Sequence, residues 1–204
     1  MALTLYKKKR NFNETPEPEG EVKESVSKLI FVVQRHKATR LHYDFRLELD
    51  GVLKSWAVPK GPSMNPKDKR LAMMVEDHPY DYKDFAGIIP KGNYGAGIVE
   101  IWDNGTYSDI ENSPKKIAEK NLRAGLEKGD LKFQLFGKKL KGEFVLVKLK
   151  GKEDNSWLLI KHHDEYAVDT EYNSEEQTKK DSPINKWLAE NKKSTKKKSA
   201  VKTH

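Results

Sequence analysis

The chain holds 204 residues with a formal charge of +8 and no cysteine, enough length for one cored domain with a short appendage. Without cysteine there is no disulfide, no thiolate metal site and no cysteine nucleophile, which fits a reducing, cytoplasmic setting. The start, "MALTLYKKKRNF", lacks the apolar centre of a signal peptide, and no run approaches the roughly 18 apolar residues of a membrane span, so no membrane is expected.

Residues 1–26 are polar, and "ETPEPEGEVKES" resists regular structure, so the sequence predicts an extended arm. Eight strand candidates follow: "LIFVVQRH", "LHYDFRLEL", "VLKSWAVP", "RLAMMVED", "GIVEIWDNG", "LKFQLFG", "EFVLVKLK" and "SWLLIKHH". Short strands at regular spacing, punctuated by Gly, Pro, Asn and Asp, favour an all-β barrel or sandwich over alternating β-α units. Asp50-Gly51 lies between the second and third runs and is a strong signal for a two-residue hairpin, because a type I′ turn needs positive φ at both positions. Residues 41–49 and 52–58 should therefore pair.

Two helices are expected. "SPKKIAEKNLRAGLEKG" has Ser113 as a cap, Pro114 in the first turn, Gly129 as a stop, and Ile117, Leu122 and Leu126 on one face. The second, "SPINKWLAEN", has the same Ser-Pro start and would dock through Trp187. Trp56, Trp102 and Trp157 sit inside strand runs and read as core.

Residues 178–204 carry nine lysines against Asp181 and Glu190, which leaves about +1 for the rest of the chain. The basic character is mostly a tail, expected to be a solvated extension or linker that adds unspecific affinity for phosphate backbones. The fold class expected is mainly β: a small closed or crescent-shaped barrel of about eight strands, flanked by two short helices. Three parts follow: an arm over 1–26 that contributes to the site, a barrel over 27–170, and a helix with a lysine-rich tail over 171–204.

The stretch "RLHYDFRLELDG" carries the chemistry. Leu41, Tyr43, Phe45, Leu47 and Leu49 alternate with His42, Asp44, Arg46 and Glu48, so the four polar side chains share one face of a strand. His42 and Asp44 together with His36 suit a divalent cation, and three ligands leave positions open for water and substrate. In "AMMVEDH", Glu76 and His78 should share a face, with Leu71, Met73 and Val75 on the other. The planar fork of Arg46 suits a phosphate.

Three readings of these residues stand: a metal-dependent enzyme acting on an anionic substrate, a non-haem Fe(II) oxygenase using the two histidines and the carboxylate, and a silent nucleic-acid-binding barrel. "GNYGAG" lacks the Lys-Ser/Thr of a P-loop and reads as a tight turn, and the His162-His163 pair reads as surface.

The run "FVVQRHKATRLHYDFRLELDGVLKSWAVPKGPSMNPKDKRLAMMVEDHPYDYKDFAGIIPKGNYGAGIVEIWDNGTY" resembles the 3′-phosphoesterase domain of bacterial DNA ligase D and its free-standing archaeal and bacterial relatives. The likeness extends from about Tyr6 to about Ala167, with "RLHYDFRLELDG", "SWAVPKGPS", "VEDHP" and "YGAG" as its most specific blocks. It implies a β-barrel with a polar concave site and a manganese-dependent enzyme, other divalent transition ions being alternatives. Such a domain removes a 3′-terminal ribonucleoside from a primer strand and then the remaining 3′-phosphate, leaving a 3′-hydroxyl.

By motif position, the resemblance implies that His36, His42 and Asp44 hold the metal. Arg46 and His78 would contact the scissile phosphate with Tyr82 nearby, and Glu76 and Arg70 would belong to the same network. "RNFNETPEP" is similar to the family's arm segment, on which Arg10 and Glu17 carry over. Asn11 departs from the family's aspartate, which bears on the diesterase step. The implied partners are a primer-template or duplex DNA end, an ATP-dependent ligase, a polymerase and a Ku-like end-binding protein. The lysine-rich ending fits a free-standing protein and the first domain of a longer ligase equally.

Overall fold

A computed structural model describes residues 2–151 and 153–200, with side chains as far as Asn191. All eight expected strands form. In chain order they are β1 (Leu29–Lys37), β2 (Leu41–Leu49), β3 (Val52–Val58) and β4 (Arg70–Met74), then β7 (Gly97–Ser108), β8 (Asp130–Gly137), β9 (Lys141–Lys148) and β10 (Ser156–Lys161). Two strands too short to show a period, β5 (His78–Pro79) and β6 (Gly87–Ile89), flank the 3-10 turn Tyr80–Asp84.

The strands run antiparallel in the order β1-β2-β3-β4-β10-β9-β8-β7, and β7 pairs back onto β1 to close a barrel. Closure removes most free sheet edges. β5 pairs with β3, and β6 with the start of β7. Asp50 and Gly51 have φ of 56° and 73°, the double left-handed geometry of the expected turn, and Leu49 faces Val52 across it.

Odd-numbered residues of β1 and β2 point into the barrel. Phe31, Val33, Phe45 and Leu47 are fully or almost fully buried there, with Trp56, Phe133, Phe144 and Trp157 from other strands. Phe133 and Phe144 stack with centroids 6.2 Å apart, and truncating either to alanine would cost about 3–5 kcal/mol.

The N-terminal arm departs from expectation. It is not extended throughout, because Thr4–Lys8 forms a short helix, α1, that buries Tyr6 completely. Tyr6 joins Val32, Leu53, Tyr82, Phe85, Ile89 and Val99 in a second apolar cluster on the outer face of the barrel.

The first long helix, α2 (Lys115–Lys128), ends at Gly129 as expected, but Ser113 does not cap it. The Ser113 backbone N–H and hydroxyl both donate to Asp109 instead, at 2.8 Å each. Ala118 and Leu122 are its buried residues, while Ile117 is half exposed.

The second helix, α3 (Pro183–Ala200), is longer than expected and docks through the fully buried Ile184; Trp187 is 39% exposed. The lysine-rich end falls largely outside the described residues: 201–204 are not described, nor are the side chains of 192–200. Residues 171–185 lie against the barrel. Ser174 is fully buried with its hydroxyl on the Pro62 carbonyl, and the Trp102 indole donates to the Ser174 carbonyl and the Thr178 hydroxyl.

Candidate active site

The β1–β2 hairpin builds the site. Its register sets His36 opposite His42 and Gln34 opposite Asp44, so the even-numbered side chains of both strands share the outer face. One ligand atom each from His36, His42 and Asp44 lies within 4.8 Å of the others. No other His, Asp and Glu side chains among the described residues form such a group of three.

His36 Nε2 lies 2.9 Å from the Gly95 carbonyl and His42 Nδ1 lies 3.1 Å from the Arg40 carbonyl. A carbonyl oxygen only accepts, so each of these nitrogens carries the ring proton. The opposite nitrogens, His36 Nδ1 and His42 Nε2, then present lone pairs to the Asp44 carboxylate, each at 3.6 Å. Two lone pairs and a carboxylate turned toward one another repel unless a cation sits among them, and backbone carbonyls that fix the imidazole tautomer are a usual support of metal ligands. The donor set fits a divalent transition ion.

Asp44 is 8% exposed. Burial alone would raise its pKa, but the adjacent Arg46 guanidinium outweighs burial and keeps the carboxyl ionised far below its ordinary range. Arg46 is locked in turn: Nε donates to Gln34 at 2.7 Å, Nη1 to Ser55 at 2.9 Å and Nη2 to Asp44 at 3.1 Å.

The arm supplies a second wall. Arg10 Nε donates to Glu17 at 2.8 Å, Nη1 to Glu76 at 3.2 Å, and Nη2 to His78 Nε2 at 3.2 Å, while its guanidinium lies 3.9 Å from the centre of the Tyr6 ring. Glu17 also accepts from Thr15 and from the Tyr82 hydroxyl, both at 2.9 Å.

His78 Nδ1 meets the Glu76 carbonyl at 2.9 Å, so its single proton sits there and Nε2 accepts from Arg10. Burial first, then the charges of Arg46 and Arg10, hold the His78 pKa well below the ordinary histidine value, so the ring is neutral at pH 7.

Arg10, Glu17, His36, His42, Asp44, Arg46, Glu76, His78 and Tyr82 all line one cavity of about 300 Å³. Arg70 does not. It opens β4 and donates to Asp68 and the Tyr172 carbonyl, both at 2.8 Å, on a different face.

The "AMMVEDH" segment is also not one continuous strand. β4 stops at Met74 and His78 begins β5, so Glu76 reaches the cavity from the irregular link between them and His78 from the start of β5. Along β4 it is Ala72 that points into the core, and Leu71 is 44% exposed. Asn11 is exposed, and its side chain accepts the Asn13 N–H at 3.2 Å to hold a turn rather than line the cavity.

Several lining or supporting residues escaped the sequence reading. Gln34 and Ser55 occupy the same outer face as Asp44 and Arg46, so strand alternation contained their signal. The "GNYGAG" turn lines the cavity: the Gly95 carbonyl accepts from His36, and Tyr94 is 47% exposed beside it. Lys9 bridges Glu76 and the Tyr94 hydroxyl at 2.9 and 3.2 Å. A roomier groove of about 470 Å³, beside the start of α2, contains no carboxylate or imidazole.

Comparison with known proteins places this geometry in a lineage. Residues 34–148 match the family model described as the DNA Ligase D 3′-phosphoesterase domain. The chain is 52% identical over 166 residues to the multifunctional non-homologous end joining protein LigD of Pseudomonas aeruginosa, covering 79% of this chain and 19% of that protein. It is 42% identical over 164 residues to the LigD of Mycolicibacterium smegmatis, covering 80% and 21%. The chain therefore spans about a fifth of the length of the curated relatives it matches.

Proposed function

The chain belongs to the DNA ligase D 3′-phosphoesterase domain family, and from that premise we propose that it heals the 3′ ends of DNA strands during end joining. It removes a terminal ribonucleoside by phosphodiester cleavage and then hydrolyses the remaining 3′-phosphate to a hydroxyl. The observation that carries this reading is the pair of tautomer-fixed imidazoles facing Asp44 inside a cavity walled by two guanidinium groups.

His36, His42 and Asp44 would hold the metal, for which Mn²⁺ is proposed. Bound there, such an ion polarises a phosphate oxygen and lowers the pKa of a coordinated water. The chain's own residues then bind and orient the substrate. Arg46, with three N–H groups already fixed to Gln34, Ser55 and Asp44, offers its remaining donors without reorganisation as charge gathers on the phosphate oxygens.

His78 arrives neutral and orients Arg10. It gains a proton only when an incoming phosphate offsets the two guanidinium charges. Lys9, Arg10 and Arg46 are balanced by Glu17, Asp44 and Glu76 around the cavity. A divalent ion therefore leaves an excess of two positive charges, which matches a phosphate dianion. An apolar substrate, as in many Fe(II) oxygenases, would have to desolvate those guanidinium groups without a partner.

A terminal ribonucleotide is preferred in the diesterase step because the 2′-hydroxyl of the departing nucleoside supplies a hydrogen-bonding or metal-binding handle absent from DNA, while water is the nucleophile that displaces its 5′-oxygen. The arm over 1–26 acts as a working part of the phosphoesterase. The names of the relatives support a setting in non-homologous end joining, and an ATP-dependent ligase, a polymerase and a Ku-like end-binding protein are the partners proposed for it there.

The test is a primer-template assay with one primer ending in a 3′-phosphate and another in a single ribonucleotide, with Mn²⁺ or a chelator. Metal-dependent conversion of both to a 3′-hydroxyl is expected. No conversion of either by protein that binds Mn²⁺ would overturn the proposal.

A further inference from the structure

The ligand hairpin has a second face, and what holds it comes from far along the chain. Arg35 and Tyr43 are directly paired across β1 and β2. Arg35 precedes the proposed ligand His36, and Tyr43 lies between His42 and Asp44. Both point away from the cavity and are buried, Arg35 completely.

Their common partner is Glu175. Arg35 Nε donates to its Oε1 at 2.9 Å and Nη2 to its Oε2 at 2.6 Å, a two-pronged pair, and the Tyr43 hydroxyl donates to the same carboxylate. Asn185 takes a further Arg35 N–H at 2.9 Å. Glu100 on β7 accepts Arg35 Nη1 through one oxygen and the Ile184 backbone N–H through the other, at 2.9 and 3.1 Å. One carboxylate from residues 171–185, its side chain 41% exposed, thus ties both strands of the hairpin together through the residues that adjoin the three ligands.

We propose that Glu175 is a positioning residue for the metal site, and that the segment through Asn185 belongs to the phosphoesterase domain as a support of its ligand hairpin rather than to a linker. The inference rests on the metal reading of His36, His42 and Asp44. A hairpin fixed on its rear face by a bidentate ion pair and a phenol holds the separation of His36 from His42 and Asp44 before metal arrives, so less ordering is left to binding. When Glu175 is lost, Arg35 keeps only Glu100 and Asn185, and Tyr43 loses its acceptor, so the two ligand strands are no longer tied through a shared group.

The experiment measures Mn²⁺ affinity by paramagnetic resonance of the free ion, with metal-dependent activity alongside, in wild type, Glu175→Ala, Glu175→Gln and Tyr43→Phe. Glu175→Ala is expected to weaken Mn²⁺ binding about tenfold or more, as supports of metal ligands commonly do. Activity at saturating Mn²⁺ should return to within about twofold of wild type, a rescue that general loss of fold would not show. Tyr43→Phe and Glu175→Gln should fall between the two.

Unchanged Mn²⁺ affinity in a folded Glu175→Ala would overturn the inference. Should that variant fail to fold, unchanged affinity in both of the milder variants would do the same. Wild-type protein that bound no Mn²⁺ would instead remove the metal reading, and this inference with it.

Discussion

Replacing Arg10 by alanine should release the N-terminal arm while leaving the barrel folded. The side chains of Arg10, Glu17 and Glu76 are 4%, 0% and 3% exposed, so the substitution takes one partner out of a buried charge network. Glu17 would keep Thr15 and Tyr82, and Glu76 would keep Lys9, but neither would keep a guanidinium. Breaking a buried pair in this way costs about 3–5 kcal/mol.

The arm's main apolar anchors, Tyr6 and the partly buried Phe12, contribute about 1.5–3 kcal/mol each on burial. The loss is therefore comparable with the rest of the arm's docking energy, whereas the barrel core touches none of these groups. Limited trypsin digestion at Lys7, Lys8 and Lys9 gives the assay, with urea unfolding of the barrel followed in parallel. Rapid cleavage in the arm with a nearly unchanged barrel midpoint is expected, and Arg10→Lys should fail to restore protection because the ammonium lacks the fork. An arm as resistant as wild type in Arg10→Ala would refute the reasoning.

The same docking should depend on pH. Burial would raise the Glu76 carboxyl, but Lys9, backbone hydrogen bonding and Arg10 outweigh burial and hold it below its ordinary value of 4.5. Its contribution is then complete above pH 4.5 and is lost as the pH falls through the depressed folded value, so trypsin-free probes such as arm hydrogen exchange should accelerate only on acidification below that point. His42→Ala and Asp44→Ala should each abolish both phosphoesterase reactions and Mn²⁺ binding with an intact β-type circular dichroism spectrum; activity in either variant removes that residue from the metal site. Deleting residues 191–204, with six lysines, should lower duplex affinity chiefly at low salt, the salt slope falling by roughly 0.9 for each phosphate no longer neutralised, and an unchanged slope would mean that the lysines do not touch DNA.

Local pattern carried the barrel and half of the site. The alternation of residues 41–49 fixed which side chains share a face, and Asp50-Gly51 fixed the register of β2 against β3, so His42, Asp44 and Arg46 were legible as neighbours from sequence. In "AMMVEDH" regular strand stops at Met74, yet Glu76 and His78 reach the same cavity as alternation expected, while Val75, expected on the opposite face, lines it too; alternation also says nothing of whether a polar face meets water. Here it does not: Asp44, Arg46 and Glu48 are 8%, 2% and 0% exposed, which only the tertiary placement of the arm and the Tyr80–Asp84 turn decides. Arg70 shows the opposite error, since a motif position next to other site residues in sequence carries no information about which side of the barrel its strand faces. Gly95 and Arg40 contribute through backbone carbonyls, so their side-chain chemistry gave no signal.

The matched family span, residues 34–148, contains all three proposed metal ligands and their direct partners Arg40, Arg46 and Gly95, but not the arm or the segment around Glu175. The arm covers the outer face of the ligand hairpin with Arg10 and Glu17, and Glu175 ties its two strands together through Arg35 and Tyr43. A strand face that buries a carboxylate and a guanidinium is costly unless every charge finds a partner, and several of those partners come from beyond the span. The hairpin alone would expose Asp44 to water and leave Arg35 with Glu100, so a barrel cut to the matched residues would keep its ligands while losing the surroundings that set their charge and spacing. On the proposed reading, metal affinity and substrate charge matching would therefore depend on residues 2–26 and 171–185 as well as on the barrel between them.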